Sequence, residues 1–314
     1  RLRPANADPT GFAASVAGLR ARAAYLGYRA AAEVARVLPP ALAGPLGQAT
    51  SRAYELANPA RRRQVARNLA RVTGQRLDDA AVRRAVHATF QWYGRYWHEL
   101  FLLAVQDPGP LVEGFVCDGQ DRVDAAAAAG RGVMLALPHL GNWDLSGAWF
   151  ARQGYRITVV TEPVEPPELF DWFVTTRTRL GMRVVALGPS AASEVLHDLH
   201  EGRVVALVSD RDIAGDGVPV EFFGERTTMP GGPALLSLRS GAPLLPVGTY
   251  FDGDRGHRAE VLEPLPAGRE ARMRDDVTRV TQLLADRFET LIRAAPEQWL
   301  MMQPNWPSDR PGAR

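Results

Sequence analysis

Beyond about residue 111, short apolar runs alternate with stretches of helical length and pattern. This alternation is typical of strands joined by crossover helices. The pattern predicts strands near residues 133–138, 156–161, 183–187, 203–209, 219–223, 244–250 and 258–263, helices near 120–129, 143–153, 167–180, 190–201 and 231–240, and a closing helix over about 272–294. We therefore expect the α/β class, with a mostly parallel central sheet of about seven strands flanked by helices.

The first part of the chain predicts helices only. Apolar residues at helical spacing form a stripe from about Ala13 to Leu38, and Pro39-Pro40 ends it. Further helices are expected at about residues 42–56, after Asn58-Pro59, and at about 78–105. We expect a single domain over residues 1–314, with a helical lobe over 1–110 packed on an α/β core over 111–314.

Composition excludes several classes of protein. The hydrophobic content of 46% is enough for a large core, yet no run of eighteen uncharged apolar residues predicts a membrane-spanning helix. The single cysteine, Cys117, rules out an internal disulfide. The net charge of +2 does not indicate a nucleic-acid-binding surface. Arginines at 61–63, 67 and 71 form a local basic cluster, which is either a solvated helix face or a surface for anionic lipid.

One histidine and one aspartate stand out at a predicted strand end. His139 follows the apolar run 133–137 and Pro138, and Asp144 comes five residues later. We expect Gly141 to permit a turn, Asn142 to cap the next helix, and Asp144 to lie in its first turn. His139 would then be a general base, with Asp144 accepting a hydrogen bond from one ring nitrogen. The alternative interpretation is an ordinary polar loop.

A second polar cluster follows another buried strand. Asp210, Arg211 and Asp212 come directly after the apolar run 204–208. Taken alone, these residues fit either a salt-bridge cluster at a strand end or the metal–nucleotide site of a sugar transferase. No third ligand cluster joins the histidines, so we expect no metal site at His197 and His200.

Seven segments, in this order along the chain, resemble the HX4D acyltransferases, the superfamily of glycerolipid and lipid A acyltransferases. They are residues 67–72, 93–97, 135–144, 177–181, 210–212, 220–230 and 303–306. Within that superfamily, the chain is most similar to the actinobacterial phosphatidylinositol mannoside acyltransferases.

The resemblance implies roles for individual residues. His139 and Asp144 match the catalytic pair, and Asp210 matches an acidic residue near the catalytic histidine that is often glutamate in the family. Because an aspartate is one methylene shorter than a glutamate, it stays open whether the carboxylate of Asp210 reaches His139. Further residues would bind substrate: Glu162 and Arg177 beside the catalytic pair, Arg211 next to Asp210, Arg226 on a phosphate group, and the backbone near Gly141 and Asn142 on the oxyanion.

The resemblance also implies the reaction. A long-chain acyl-CoA would be the donor, with no cofactor and no acyl-enzyme, and a mannose hydroxyl of a phosphatidylinositol mannoside would be the acceptor. The lobe over 1–110 would rest peripherally on the anionic cytoplasmic face of the plasma membrane. Three alternatives stay open: an acyltransferase for a lysophospholipid or lipid A-like acceptor, a metal-dependent glycosyltransferase built around Asp210 and Asp212, and a non-catalytic lipid-binding module.

Overall fold

The computed structural model describes residue 22 and residues 25–38 and 40–309. Its N-terminal part is helical, as expected, with α1 over residues 25–37 followed by α2 (Pro40–Ala57), α3 (Pro59–Thr73), α4 (Ala80–Val105) and the single turn α5 (Gly109–Val112). The part of the first predicted helix that precedes residue 22 lies outside the described residues. Local sequence sets the bounds of α3. Pro59 stands in its first turn, where its missing N–H costs nothing, and Gly74 ends it in the left-handed conformation.

The rest of the chain alternates strands and helices. The strands are β1 (Val116–Asp118), β2 (Val133–Leu137), β3 (Ile157–Thr161), β4 (Arg183–Ala186), β5 (Val204–Val208), β6 (Val218–Phe222), β7 (Glu225–Met229), β8 (Leu244–Asp252) and β9 (Gly256–Val261). The helices are α6 (Gln120–Ala128), α7 (Trp143–Arg152), α8 (Pro167–Arg179), α9 (Ala191–His200), α10 (Gly232–Ser240) and α11 (Met273–Ala294). Short 3-10 turns follow at Pro296–Gln298 and Pro307–Asp309.

Seven strands form the central sheet in the order β1-β9-β8-β2-β5-β3-β4. Every neighbouring pair is parallel except β8 with β9, so the expected mostly parallel sheet is confirmed. The pairing of β2 with β5 places Leu137 opposite Val208, the last residue of each strand. Because both strands run in the same direction, the residues that follow them leave the sheet side by side at one edge. His139 and Asp210 each come two residues after that matched pair.

The membership of the sheet differs from the prediction at one strand. The expected strand near 219–223 is β6, and it pairs with β7 in a separate antiparallel hairpin. Phe223 and Gly224 form the two-residue turn with φ of 51° and 75°, the backbone conformation that twists a tight hairpin correctly. The seventh strand of the main sheet is β1, which has only three residues and was too short to be predicted.

The central strand β2 is buried on both faces and separates two apolar clusters. Met134 and Ala136 pack on the side of α9, α10 and α11, whereas Leu135 and Leu137 pack on the side of α6 and α7. This alternation follows from the two-residue period of a strand. A fully buried leucine contributes about 1.5–3 kcal/mol, so β2 is firmly held from both sides. Over the part of the chain that is described, no helix combines the length and the apolar character needed to cross a membrane.

Candidate active site

The side chains of His139 and Asp210 meet at the carboxyl edge of the sheet. Nδ1 of His139 lies 2.5 Å from Oδ1 of Asp210, and the backbone N–H of His139 donates to Oδ2 at 3.0 Å. A carboxylate only accepts hydrogen bonds, so Nδ1 carries a proton, and Nε2 is an acceptor whenever the ring is neutral. The side chain of Asp210 is fully buried, whereas that of His139 is 28% exposed. The structure therefore answers the open question of reach: the shorter carboxylate contacts the histidine directly.

Two residues near the end of the chain hold Asp210. The indole Nε1 of Trp299 donates to Oδ2 of Asp210 at 2.7 Å, and the side-chain amide of Asn305 donates to its backbone oxygen at 3.0 Å. Burial alone would raise the pKa of Asp210, but the charge and hydrogen bonds of His139, with the hydrogen bond of Trp299, lower it below its usual range. Asp210 is thus an ionised carboxylate whose donors fix its orientation.

The structure corrects the expected pairing of Asp144 with His139. Nε of Arg177 donates to Oδ1 of Asp144 at 2.6 Å, Nη2 donates to Oδ2 at 3.2 Å, and the hydroxyl of Tyr96 donates to Oδ2 at 2.9 Å. Among the residues from 40 to 309, no hydrogen bond joins Asp144 to His139. The first turn of α7 directs this carboxylate toward α8 and α4 instead. Burial and the negative charge of Asp144 raise the pKa of Tyr96 well above its ordinary value, so its hydroxyl remains a donor.

The turn between β2 and α7 follows the expected geometry. Gly141 has a φ of 59°, and a Cβ there would lie 2.3 Å from the carbonyl oxygen of Thr249, so only glycine fits. Asn142 caps α7 by accepting from the amide of Leu145 at 3.0 Å. The amide of Gly141 is already used, because it donates to the carbonyl of Gln298 at 3.0 Å. The N–H groups that begin α7 have no acceptor within the helix and are therefore the ones suited to an oxyanion.

A cavity lies between the sheet and α7, and the space in it, counting the part that is open to solvent, is about 620 Å³. Its polar end carries Asp144 and Arg177, and most of its remaining wall is apolar, including Leu135, Phe150 and Ala206. Trp143 belongs to the same wall, and its ring packs edge-on against His139 at a centroid distance of 5.3 Å. The histidine thus lies beside the polar end of an apolar cavity.

Of the other predicted residues, two pair with each other near the site, and two have separate surroundings. Glu162 and Arg211 lie at the same sheet edge, following β3 and β5, and form an ion pair at 3.1 Å. Asp212 instead organises its own loop, accepting from the amides of Gly215 and Gly217. Arg226 lies exposed on β7, and no hydrogen bond joins it to the residues around His139 within the described chain. Its predicted phosphate contact stays a prediction.

The arginines of the basic cluster also differ in their surroundings. Arg71 is not a free surface charge, because it donates to Glu225 at 2.8 Å and to Asp309 at 3.0 Å and stacks on Trp306. The arginines at 61–63 and 67 are exposed on α3.

Sequence reasoning missed Trp299, Tyr96 and Glu99. All three are buried, and each contacts a residue of the two predicted clusters: Trp299 contacts Asp210, Tyr96 contacts Asp144, and Glu99 contacts Asn142. Tyr96 lies inside one of the segments that carry the family resemblance, and Glu99 follows it by one helical turn. That helical spacing is the signal that could have indicated a shared face.

Comparison with known proteins gives consistent matches along most of the chain. The model of the family described as bacterial lipid A biosynthesis acyltransferase matches residues 10–308. A phosphatidylinositol mannoside acyltransferase of Mycolicibacterium smegmatis is 40% identical over 288 residues, which cover 90% of this chain and 91% of the relative. One from Mycobacterium tuberculosis is 42% identical over 252 residues, covering 78% and 77%. A lipid A biosynthesis acyltransferase of Haemophilus influenzae is 26% identical over 185 residues, covering 58% and 56%.

The lowered pKa of Asp210 predicts a pH-dependent contribution to stability. Because the folded pKa lies below the unfolded one, the contribution is full above about pH 4 and is lost as the pH falls through the folded value. Asp210→Asn removes it. We expect the difference in free energy of unfolding between wild type and Asp210→Asn to shrink as the pH falls below about 4, measured by urea unfolding. A difference that does not shrink there would contradict the assigned ionisation.

Trp299→Phe tests the hydrogen bond to Asp210. The variant leaves a buried charged acceptor with one donor fewer, so we expect a loss of about 1–3 kcal/mol in unfolding free energy and a changed ¹⁵N shift of the His139 ring. The matched control is Trp306→Phe, which also removes a buried indole donor but from the carbonyl of Phe222. The control should lose similar stability and leave the His139 shift unchanged; equal shifts in both variants would rule out the specific role of Trp299.

Proposed function

Because the chain belongs to the bacterial lipid A biosynthesis acyltransferase family, we propose that it transfers a long-chain acyl group from acyl-CoA to a mannose hydroxyl of a phosphatidylinositol mannoside. The supporting observation is the partly exposed imidazole of His139, held at Nδ1 by a buried, ionised carboxylate beside an apolar cavity. The names of the two mycobacterial relatives support the acceptor class.

In this proposal His139 is the general base. Its Nε2 takes the proton of the acceptor hydroxyl while the hydroxyl oxygen bonds to the carbonyl carbon of the thioester. The tetrahedral intermediate then collapses, the carbon–sulfur bond breaks, and the imidazolium returns the proton to the departing thiolate of CoA. Asp210 fixes the tautomer with Nδ1–H and stabilises the imidazolium. General-base assistance of this kind contributes about 10²–10⁴-fold.

The start of α7 is the proposed site for the oxyanion. The positive end of the helix dipole and the backbone amides of Asn142 and Trp143 favour negative charge there. Arg177 adds a cation at the polar end of the cavity, where Asp144 fixes its guanidinium. The catalytic contribution of Asp144 is then to orient Arg177 rather than the histidine.

The apolar cavity is the proposed site for the acyl chain. Its walls between the sheet and α7 are made of aliphatic and aromatic side chains, which bind hydrocarbon by burying it from water. The thioester carbonyl would remain at the polar end, close to Trp143 and His139. This arrangement would bring the acyl carbon within reach of the activated hydroxyl.

The hydrogen bonds of Asp210 and Asp212 do not support the metal-dependent alternative. Both oxygens of Asp210 accept hydrogen bonds from His139 and Trp299, and Asp212 accepts from Gly215, Gly217 and Thr228. A metal would have to displace these donors.

The N-terminal helices carry the proposed membrane surface. Large apolar side chains on α1 and α2 are exposed, among them Leu26, Val37, Leu42 and Leu46. Exposed arginines follow on α3 at 61–63 and 67. Apolar side chains beside basic groups favour insertion into an anionic lipid surface, where each basic group contributes about 1 kcal/mol. Contact of this kind would bring a lipid acceptor to the enzyme.

His139→Ala tests the proposed base. We expect CoA release from palmitoyl-CoA with phosphatidylinositol mannoside as acceptor to fall by about 10²–10⁴-fold, because the hydroxyl loses its proton acceptor. The control is His200→Ala, which removes an exposed histidine of α9 and should keep full activity. Retained turnover in His139→Ala would refute the base assignment.

The same assay separates the alternatives. Mass spectrometry of the product identifies the acceptor when lysophospholipid or a lipid A precursor is offered instead, and loss of activity in chelator would favour the metal-dependent reaction.

Leu42→Glu combined with Leu46→Glu tests the membrane surface. Each fully buried leucine contributes about 1.5–3 kcal/mol, so we expect at least about tenfold weaker binding to vesicles that contain phosphatidylinositol, measured by co-sedimentation. The control is Leu187→Glu, which changes an exposed leucine outside the N-terminal helices. Equal vesicle binding by both variants would contradict the assignment of α1 and α2 to the membrane.

A further inference from the structure

Helix α4 contacts the turn between β2 and α7 through two side chains that are neighbours on its surface. Tyr96 and Glu99 are three residues apart, and a helix places such residues side by side. Tyr96 donates to Asp144 at 2.9 Å, and the side-chain amide of Asn142 donates to Oε2 of Glu99 at 2.7 Å. All four residues are buried, with exposures between 1% and 5%. One helical turn of α4 therefore contacts both the capping residue of α7 and the first turn of that helix.

Glu99 is itself held by cationic and polar groups. Nε of Arg95 donates to Oε1 at 2.7 Å, and Nε2 of His257 lies 2.9 Å from Oε2. Arg95 also donates to the carbonyl of Gly253 in the β8–β9 turn and to that of Gly256, the first residue of β9. Burial alone would raise the pKa of Glu99, but hydrogen bonds and charges from His257 and Arg95 lower it below its usual value. A buried, ionised glutamate thus connects α4, the β8–β9 turn and the active-site turn.

The charge of Glu99 decides which way the amide of Asn142 faces. An ionised carboxylate cannot donate, so Nδ2 of Asn142 must point to Glu99 and Oδ1 must point to the amide of Leu145. That second contact is the cap of α7. A capping side chain contributes to holding the first helical turn, and this turn carries Asp144.

We propose that Glu99 is a positioning residue for acyl transfer: by accepting from Asn142, it holds the first turn of α7, whose N–H groups face the reacting groups and whose Asp144 orients Arg177. Glu99 makes no contact with His139 or Asp210 in the described chain, so it acts through Asn142. The inference rests on the proposed function.

A double-mutant cycle between Glu99 and Asn142 tests this. Glu99→Gln keeps the shape but offers only one acceptor oxygen, and Asn142→Ser keeps a capping oxygen while losing the amide that reaches Glu99. We expect kcat with palmitoyl-CoA and phosphatidylinositol mannoside to fall by about a hundredfold in Glu99→Gln, as for a small misplacement of reacting groups, with KM for palmitoyl-CoA unchanged. The double variant should lose no more than the more impaired single variant, because both changes break one contact.

The control is Asp198→Asn. Asp198 is also a buried carboxylate, and it accepts from Arg183 and Thr158 at 2.8 Å near the opposite edge of the sheet. This variant should lower stability and leave kcat unchanged. A kcat in Glu99→Gln no lower than in Asp198→Asn, or losses that multiply in the double variant, would overturn the proposal.

Two further measurements cover other outcomes. If Glu99→Gln does not fold, Glu99→Asp keeps the charge beside Arg95 and His257 but withdraws the oxygen from Asn142, and the same loss in kcat is expected. Hydrogen exchange at the amide of Leu145 reports the cap without any substrate. It should be faster in the Glu99 variants than in wild type. If wild type transfers no acyl group, the proposed function has failed, and unchanged exchange at Leu145 would separately overturn the role of Glu99.

Discussion

The buried carboxylate of Asp210 is the interaction on which the site geometry depends. An ion removed from water costs several kcal/mol unless donors replace its hydration. Here His139 supplies two donors and Trp299 a third. These groups come from the end of β2 and from the segment after α11, while Asp210 follows β5. The pair of His139 and Asp210 is therefore complete, with all its donors, only when the sheet and the C-terminal segment have both folded. The sheet then sets the orientation of the pair.

The two carboxylates near the site have different partners, and this gives them different roles. Asp144 faces Arg177, which keeps its charge at any working pH, whereas Asp210 faces the titratable ring of His139. In the proposed reaction, only the second pair exchanges a proton with the substrate. Environment rather than residue type separates the two aspartates, as in other enzymes that use two carboxyl groups for different purposes.

The sequence predicted what local patterns control. The turn at Gly141, the cap at Asn142 and the strand end at His139 follow from residue types within a few positions, and the structure has all three. The partner of His139 depends instead on the register of β2 with β5, which pairs residues about seventy positions apart. No periodicity in one chain reveals that register. The same limit explains why Trp299 and Glu99 were missed: their partners lie far away in sequence.

The position of α4 argues that the helical lobe is part of the site rather than an attachment to it. Its inner face satisfies the buried polar groups of Asp144 and Asn142, and its ring at Trp97 packs edge-on against Tyr28 of α1. Without α4, each of those buried groups would lack a donor or acceptor, at about 1–3 kcal/mol each. The helices that carry the exposed apolar residues are therefore connected through one rigid helix to the start of α7. A contact made by the helical lobe is therefore connected, through α4, to the turn between β2 and α7.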